Sequence, residues 1–374
     1  MNLNPPRGTR DFFPEDMRLR NWLFGHFREV ARLSGFEEYD APVVESADLY
    51  VRKAGEEIVD QLYTFQDKSN RELALRPEMT PSLARMVLQK GGALALPIKW
   101  FSLPQCWRYE RMTRGRRREH FQWNMDIFGV DDVTAEAELL AVLVTLFKRL
   151  GLSAADVVIR LSNRRLLQAV LASAGVTDEL FAPVCILVDK LEKIPREAVE
   201  ADLQVLGVDS GVIDRVLEIA SCTSLEAARQ LAGDGENGLD ELQRLIDLGA
   251  AYGFSEWLRF DPSLVRGLAY YTGTVFEVFP TEGDLRAVCG GGRYDRLLST
   301  FGGKDVPACG FGFGDPVIVE LLKDKGLLPD LPPAVDDVVF AFSEQLRIPA
   351  MEVATRLRAS GRSVDLILEE GKRM

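Results

Sequence analysis

Arg108-Tyr-Glu-Arg-Met-Thr-Arg-Gly-Arg-Arg-Arg118, continuing as Glu119-His-Phe-Gln122, places six arginines within eleven residues of a chain whose formal net charge is -12. A charge run is ordinarily a solvated face. This one lies between two apolar stretches, residues 98–107 and 121–130, each of which reads as a buried strand. Strand, charged loop, strand is a hairpin whose arginines can be turned into a site. Guanidinium suits phosphate there, because its planar fork makes paired charge-assisted hydrogen bonds and stays protonated. On the second strand, Gln122 and Asp126 alternate with bulky residues and so project to one face. Polar groups on a largely apolar strand are costly unless they are paired or functional.

Working outward, the 374 residues are enough for two or three domains, with 47% hydrophobic and 27% charged residues. No apolar run reaches the roughly 20 residues that span a bilayer, and the N-terminus shows no secretory core. The chain reads as cytoplasmic, although a mature organellar protein would look the same. Five cysteines without a Cys-x-x-Cys pair and only two histidines (His26 and His120) give structural zinc no support and predict reduced thiols. An acidic protein is not a general nucleic-acid coat, so RNA contact is expected only at the arginine loop.

Pro14 opens a helix expected to run to Leu33, followed by a strand over 36–44 and a helix over 47–62. A short strand at 73–75 ends in Arg76-Pro-Glu-Met-Thr80, where Glu78 could bind an ammonium group, cap the next helix or sit on a solvated loop. Thr134 caps a further helix that stops before Gly151, and 157–161 reads as a strand. Residues 164–253 are rich in Ala, Leu and acid with helical periodicity and read as a helical insertion. Strands return near 257–260, 274–279 and 285–289, followed by a helix over 316–325. A proline-rich linker at 327–334 leads to one strand–helix–strand unit, half of an α/β module.

Two late stretches carry the remaining polar groups. They are Arg266-Gly-Leu-Ala-Tyr-Tyr271-Thr-Gly, and Gly290-Gly-Gly-Arg-Tyr294-Asp, read as glycines following a strand. Glycines there permit close backbone approach to a ligand, and the tyrosines offer hydroxyls to a heteroaromatic ring. Arg266 among apolar neighbours needs an anion.

The arginine hairpin is similar to motif 2 of class II aminoacyl-tRNA synthetases, and 41–45 is similar to their dimer-forming motif 1. The two late stretches resemble the histidine-specific blocks of the histidyl-tRNA synthetase family, in particular its plant-organellar and related bacterial branch. These blocks are collinear over roughly residues 5–320. The resemblance implies an α+β fold, with an antiparallel sheet flanked by helices, a helical insertion and a partial C-terminal module. The divisions it implies are 1–163 and 256–326 for the catalytic core, 164–255 for the insertion, 327–336 for the linker and 337–374 for the partial module.

It also implies roles. Glu78, Thr80, Gln122 and Asp126 would hold the amino acid, and Tyr271 and Tyr294 its imidazole. Arg108 and Arg266 would flank the α-phosphate of ATP, Glu110 would meet adenine, and Arg116 the distal phosphates. Arg114, Arg117 and Arg118 would contact the tRNA acceptor end. ATP would arrive with Mg2+, no metal being held by the protein itself, and the partners are histidine, ATP, tRNA(His) and a second copy of the chain. Motif 3 departs from the family pattern: Gly310-Phe-Gly-Phe-Gly314 leads into Asp315-Pro316 where the family has Glu-Arg. The competing resemblance is to the histidine-sensing regulatory subunit of ATP phosphoribosyltransferase. A sensor has no need of Arg108, Arg266 and the arginine loop together. A scaffold that has lost both activities is the third reading.

Overall fold

The structure is a computed structural model describing residues 3–51, 59–188, 190–191, 194–232, 238–264 and 271–369. It divides into two compact units, one of residues 1–11 and 23–328, the other of residues 12–22 and 329–374.

The larger unit is built on a nine-stranded sheet. Its order is Glu37–Glu38, Ile98–Ser102, Glu119–Phe128, Ala308–Gly314, Cys289–Arg293, Thr274–Pro280, Val157–Asn163 and Leu258–Phe260, with Gln105–Trp107 also paired to Glu119–Phe128. The central ladders are antiparallel, and the outermost pairing at each end is parallel. The expected hairpin is present: Ile98 faces Phe128, Trp107 faces Glu119, and residues 108–118 form the loop.

The register sorts the side chains by face, because neighbours along a strand point to opposite sides. Trp123 and Met125 face one way with Phe313 and Phe311, and helices cover them. The Phe27 ring of helix Pro14–Leu33 stacks on Trp123 at 4.8 Å, and Phe147 of helix Thr134–Arg149 lies 5.9 Å from Phe313. Trp123, Phe27, Phe147 and Phe313 are fully buried, each such aromatic contributing about 1.5–3 kcal/mol of transfer free energy. The opposite face carries Gln122, Asn124 and Asp126.

Several local expectations are corrected. The strand placed at 285–289 runs over Cys289–Arg293, so the three glycines lie within the sheet and are not a turn. A Cβ on Gly291 would overlap the Gly310 carbonyl oxygen and stand 2.7 Å from the Phe276 and Phe311 side chains, so the neighbouring backbone and the aromatic layer together require glycine there. Thr134 is not a side-chain cap; its amide donates to Asp132 Oδ1 at 2.9 Å. Glu78 does not cap helix Thr80–Lys90, whose N-cap residue is Met79 with no side-chain cap bond. The strand over 36–44 reduces to Glu37–Glu38 and Val44–Ser46. The helix expected over 47–62 is described as Ala47–Val51, and 52–58 lie outside the described residues. Tyr63–Gln66, Glu72–Leu75 and Val44–Ser46 form a separate antiparallel sheet.

The helical stretch has an apolar cluster of its own, including Leu171, Val184, Val199, Leu203 and Val216. In the smaller unit, strands Asp337–Val339 and Val364–Leu366 pair in parallel across helix Arg347–Ala359, which buries Ala350 and Ala354. All five cysteines are free thiols. Burial pushes the Cys106 thiol up to about 12, which makes it an inert core group.

Candidate active site

The polar face of the sheet has a floor of glycine. Gln122, Asn124 and Asp126 stand opposite Gly314, Gly312 and Gly310, while Gly312 and Gly310 in turn face Gly290 and Gly292. A Cβ on Gly312 would overlap the Gln122 amide, and one on Gly310 would overlap the Asp126 carboxylate and the Tyr294 hydroxyl. The missing side chains let long polar groups lean across two strands, and they give a ligand close access to the backbone.

At one end of this floor the Tyr294 hydroxyl donates to Asp126 Oδ1 in a short hydrogen bond. Tyr271 lies against Gly292, where an added Cβ would be 3.0 Å from its ring. Both tyrosines are buried in an apolar cluster with Leu83, Ala84, Leu264 and Val275. Tyr294 is fixed from both sides. Arg293 makes a bidentate pair with Glu136 at 2.6 Å to each oxygen, and Asp295 accepts from Thr272 Oγ1 (2.9 Å) and the Ala308 amide (3.1 Å). Glu78 and Thr80 are buried where strand Glu72–Leu75 passes into helix Thr80–Lys90. Arg108 Nε donates to the Pro77 carbonyl at 2.9 Å, which joins the hairpin to the segment bearing Glu78.

The hairpin end is cationic. Arg116 forms a short ion pair with Glu110, and Arg108 also lowers the Glu110 carboxyl. Burial works against that lowering and is outweighed by the arginines. His120 lies on the same face as Gln122. Burial, reinforced by Arg108, Arg286 and Arg10, lowers its imidazole to about 3, against a hydrogen bond to Gln122 that pulls the other way.

The three arginines expected to meet tRNA differ. Arg114 binds Glu320 at 3.0 Å and Asp324 at 2.5 Å on helix Asp315–Asp324. Arg118 lies 3.8 Å over the Tyr109 ring and donates to the Glu110 carbonyl. Arg117 is exposed. Arg266, expected opposite Arg108, lies outside the described residues.

The departure at motif 3 has a structural counterpart. Asp315 is buried and accepts from the Phe121 amide at 2.7 Å and from Arg10 Nη1 at 2.8 Å. Arg10 also reaches Glu119, itself buried, at 3.1 Å. An N-terminal arginine thus ties the hairpin to the start of the helix. Burial raises the Asp315 carboxyl even with Arg10 beside it. The sequence assigns no role to Arg10 or Asn124. Asn124 lies between two residues that do receive one, and its buried Oδ1 has no hydrogen-bond partner among the described residues.

Residues 8–314 match the family profile described as Histidyl-tRNA synthetase. The chain belongs to the histidyl-tRNA synthetase family. It is 58% identical to the chloroplastic/mitochondrial histidine–tRNA ligase of Arabidopsis thaliana, across 99% of this chain and 76% of that one. It is 42% identical to the histidine–tRNA ligase of Opitutus terrae, across 97% and 84%. Among solved structures, the histidyl-tRNA synthetase of Nostoc sp. superposes with a TM-score of 0.84 at 24% identity, covering 100% of this chain and 87% of that one. A protein from Bacillus halodurans described as an ATP phosphoribosyltransferase regulatory subunit/histidyl-tRNA synthetase gives 0.83 at 25% identity, covering 97% and 92%. The fold matches both solved structures, and the relatives at 58% and 42% identity over nearly the whole chain are histidine–tRNA ligases. Family membership makes this an aminoacyl-tRNA ligase that uses ATP. No described helix is long and apolar enough to cross a membrane.

Proposed function

We propose that the glycine-floored face is where histidine is joined to AMP and then passed to tRNA(His). The observation that carries this reading is the Tyr294–Asp126 pair above the glycine floor, with Arg108 bonded to the Pro77 carbonyl next to Glu78. Glu78, Gln122 and Asp126 take the α-ammonium, with Thr80 beside them, and Tyr271 and Tyr294 enclose the imidazole. A buried polar pair of this kind selects its ligand by what an imposter leaves unpaired.

A carboxylate oxygen of histidine attacks the α-phosphorus, the bond to the bridging oxygen of the β-phosphate breaks, and pyrophosphate leaves. Negative charge grows on the α-phosphoryl oxygens, where Arg108 and Arg266 act as fixed cations. Glu110 turns from Arg116 to the purine, which frees Arg116 for the distal phosphates. Mg2+ would enter as part of the ATP substrate and offset phosphate charge, with no protein cage of its own. A terminal ribose hydroxyl of the tRNA then attacks the acyl carbon, and AMP leaves.

Arg117 meets the acceptor end directly, while Arg114 and Arg118 must exchange protein partners for phosphate to do so. The working form is a homodimer. Its compartment is reducing, namely the cytoplasm, and a mature organellar enzyme meets the same requirement. Charging of a tRNA(His) transcript with labelled histidine tests the whole sequence. Histidine accepted only by tRNA(His) supports the reading, and histidine binding without any charging favours the sensor.

A further inference from the structure

Helix Asp315–Asp324 opens on Asp315-Pro316-Val317, and its first turn carries no cation. The arginine that reaches it, Arg10, is engaged by the two carboxylates of Glu119 and Asp315. The cations described at the nucleotide end from the hairpin are Arg108 and Arg116, and Arg116 is already paired with Glu110.

Another arginine approaches from a different part of the chain. The segment leading into strand Cys289–Arg293 is anchored at Val288, whose amide donates to the Val278 carbonyl at 2.8 Å and whose carbonyl accepts from the Gly314 amide at 3.1 Å. Gly314 is paired with Gln122. The segment therefore enters at the end of the floor where Gln122 lies and where the same strand continues to His120. Arg286, two residues before Val288, is exposed there. Behind burial and Arg108, its charge adds to the lowering of the His120 imidazole, and behind Arg116 and Arg108 it adds to that of the Glu110 carboxyl, in keeping with a guanidinium at this end of the floor.

We propose that Arg286 is an ATP-binding residue that supplies, from the segment before the glycine strand, the positive charge that helix Asp315–Asp324 does not bring to the nucleotide. Its fork can pair with a phosphate or its plane can lie on the purine, and either mode is a contact to ATP and not to histidine. The proposal rests on the ligase reading for the identity of the nucleotide.

The test is Arg286→Ala and Arg286→Lys in the full chain. Histidine-dependent ATP–pyrophosphate exchange should show KM for ATP raised at least about fivefold in Arg286→Ala, with KM for histidine within about twofold. The lysine variant should lie between Arg286→Ala and the unmodified chain. Unchanged thermal unfolding should verify the fold, since the side chain is exposed. Calorimetric titration with a non-hydrolysable ATP analogue should weaken by a similar factor. A smaller change in both KM for ATP and analogue affinity overturns the proposal. No exchange by the unmodified chain would count against the ligase reading instead, and the analogue titration would still decide the role of Arg286.

Discussion

The Tyr294 hydroxyl donates to the Asp126 carboxylate above Gly310, a position where no other residue would fit, since a Cβ there would collide with both groups. One phenol and one carboxylate, 168 residues apart, thus form a single polar unit inside an apolar cluster. Tyr294→Phe removes the hydroxyl and keeps the ring. Its expected effect is a rise of about tenfold or more in KM for histidine, the loss that follows when a buried polar group loses its partner, with KM for ATP within about twofold. Steady-state exchange at varied histidine and ATP measures the split. An equal change in both constants would contradict a histidine-facing role.

Arg10 joins Glu119 and Asp315, both almost fully buried. Arg10→Met would leave two carboxylates facing each other without a cation, and breaking a buried pair on one side costs about 3–5 kcal/mol. Urea unfolding should report a loss of that order. A loss under about 1 kcal/mol would mean that water reaches the carboxylates and that Arg10 does not hold the hairpin to the helix.

His120 gives a prediction in pH. Its folded value, about 3, lies below the unfolded value of about 6.5. Between those limits only the unfolded chain takes up the proton, so stability falls as the pH drops from 6.5 toward 3, by up to about 1.4 kcal/mol per pH unit. His120→Gln removes this contribution. From pH 7.5 to pH 5 the unmodified chain should lose about 2 kcal/mol more than the variant, read as urea midpoints at both pH values. Parallel losses in the two proteins would show that the imidazole is not held neutral.

Arg117 is exposed, whereas Arg114, although also exposed, is held by Glu320 and Asp324, and Arg118 lies on the Tyr109 ring. Arg117→Gln should raise KM for tRNA while leaving ATP–pyrophosphate exchange unchanged. It should also reduce the slope of log affinity against log salt by about 0.7–0.9, the value for one lost phosphate contact. An unchanged salt slope would remove Arg117 from the acceptor interface.

The parts of this site legible in the sequence are those whose signal is local. An arginine run between two apolar stretches can hardly be other than a hairpin, and the alternation of Gln122 and Asp126 states their common face. The glycine strand was misplaced because three glycines offer no side-chain pattern. What makes them a strand is pairing on both sides, with Thr274–Pro280 and with Ala308–Gly314. Arg10 and Asp315 are 305 residues apart, and nothing in either local stretch indicates that the two pair. Their burial is a property of the assembled sheet and helix. Arg286 likewise gives no sign until the register brings its segment to the Gln122 end of the floor.

Histidine-dependent ATP–pyrophosphate exchange, run against the other nineteen amino acids, tests the central claim most directly. The account predicts exchange with histidine alone, lost in Asp126→Ala and in Arg108→Ala. Undiminished exchange in both variants, or equal exchange with several amino acids, would contradict it.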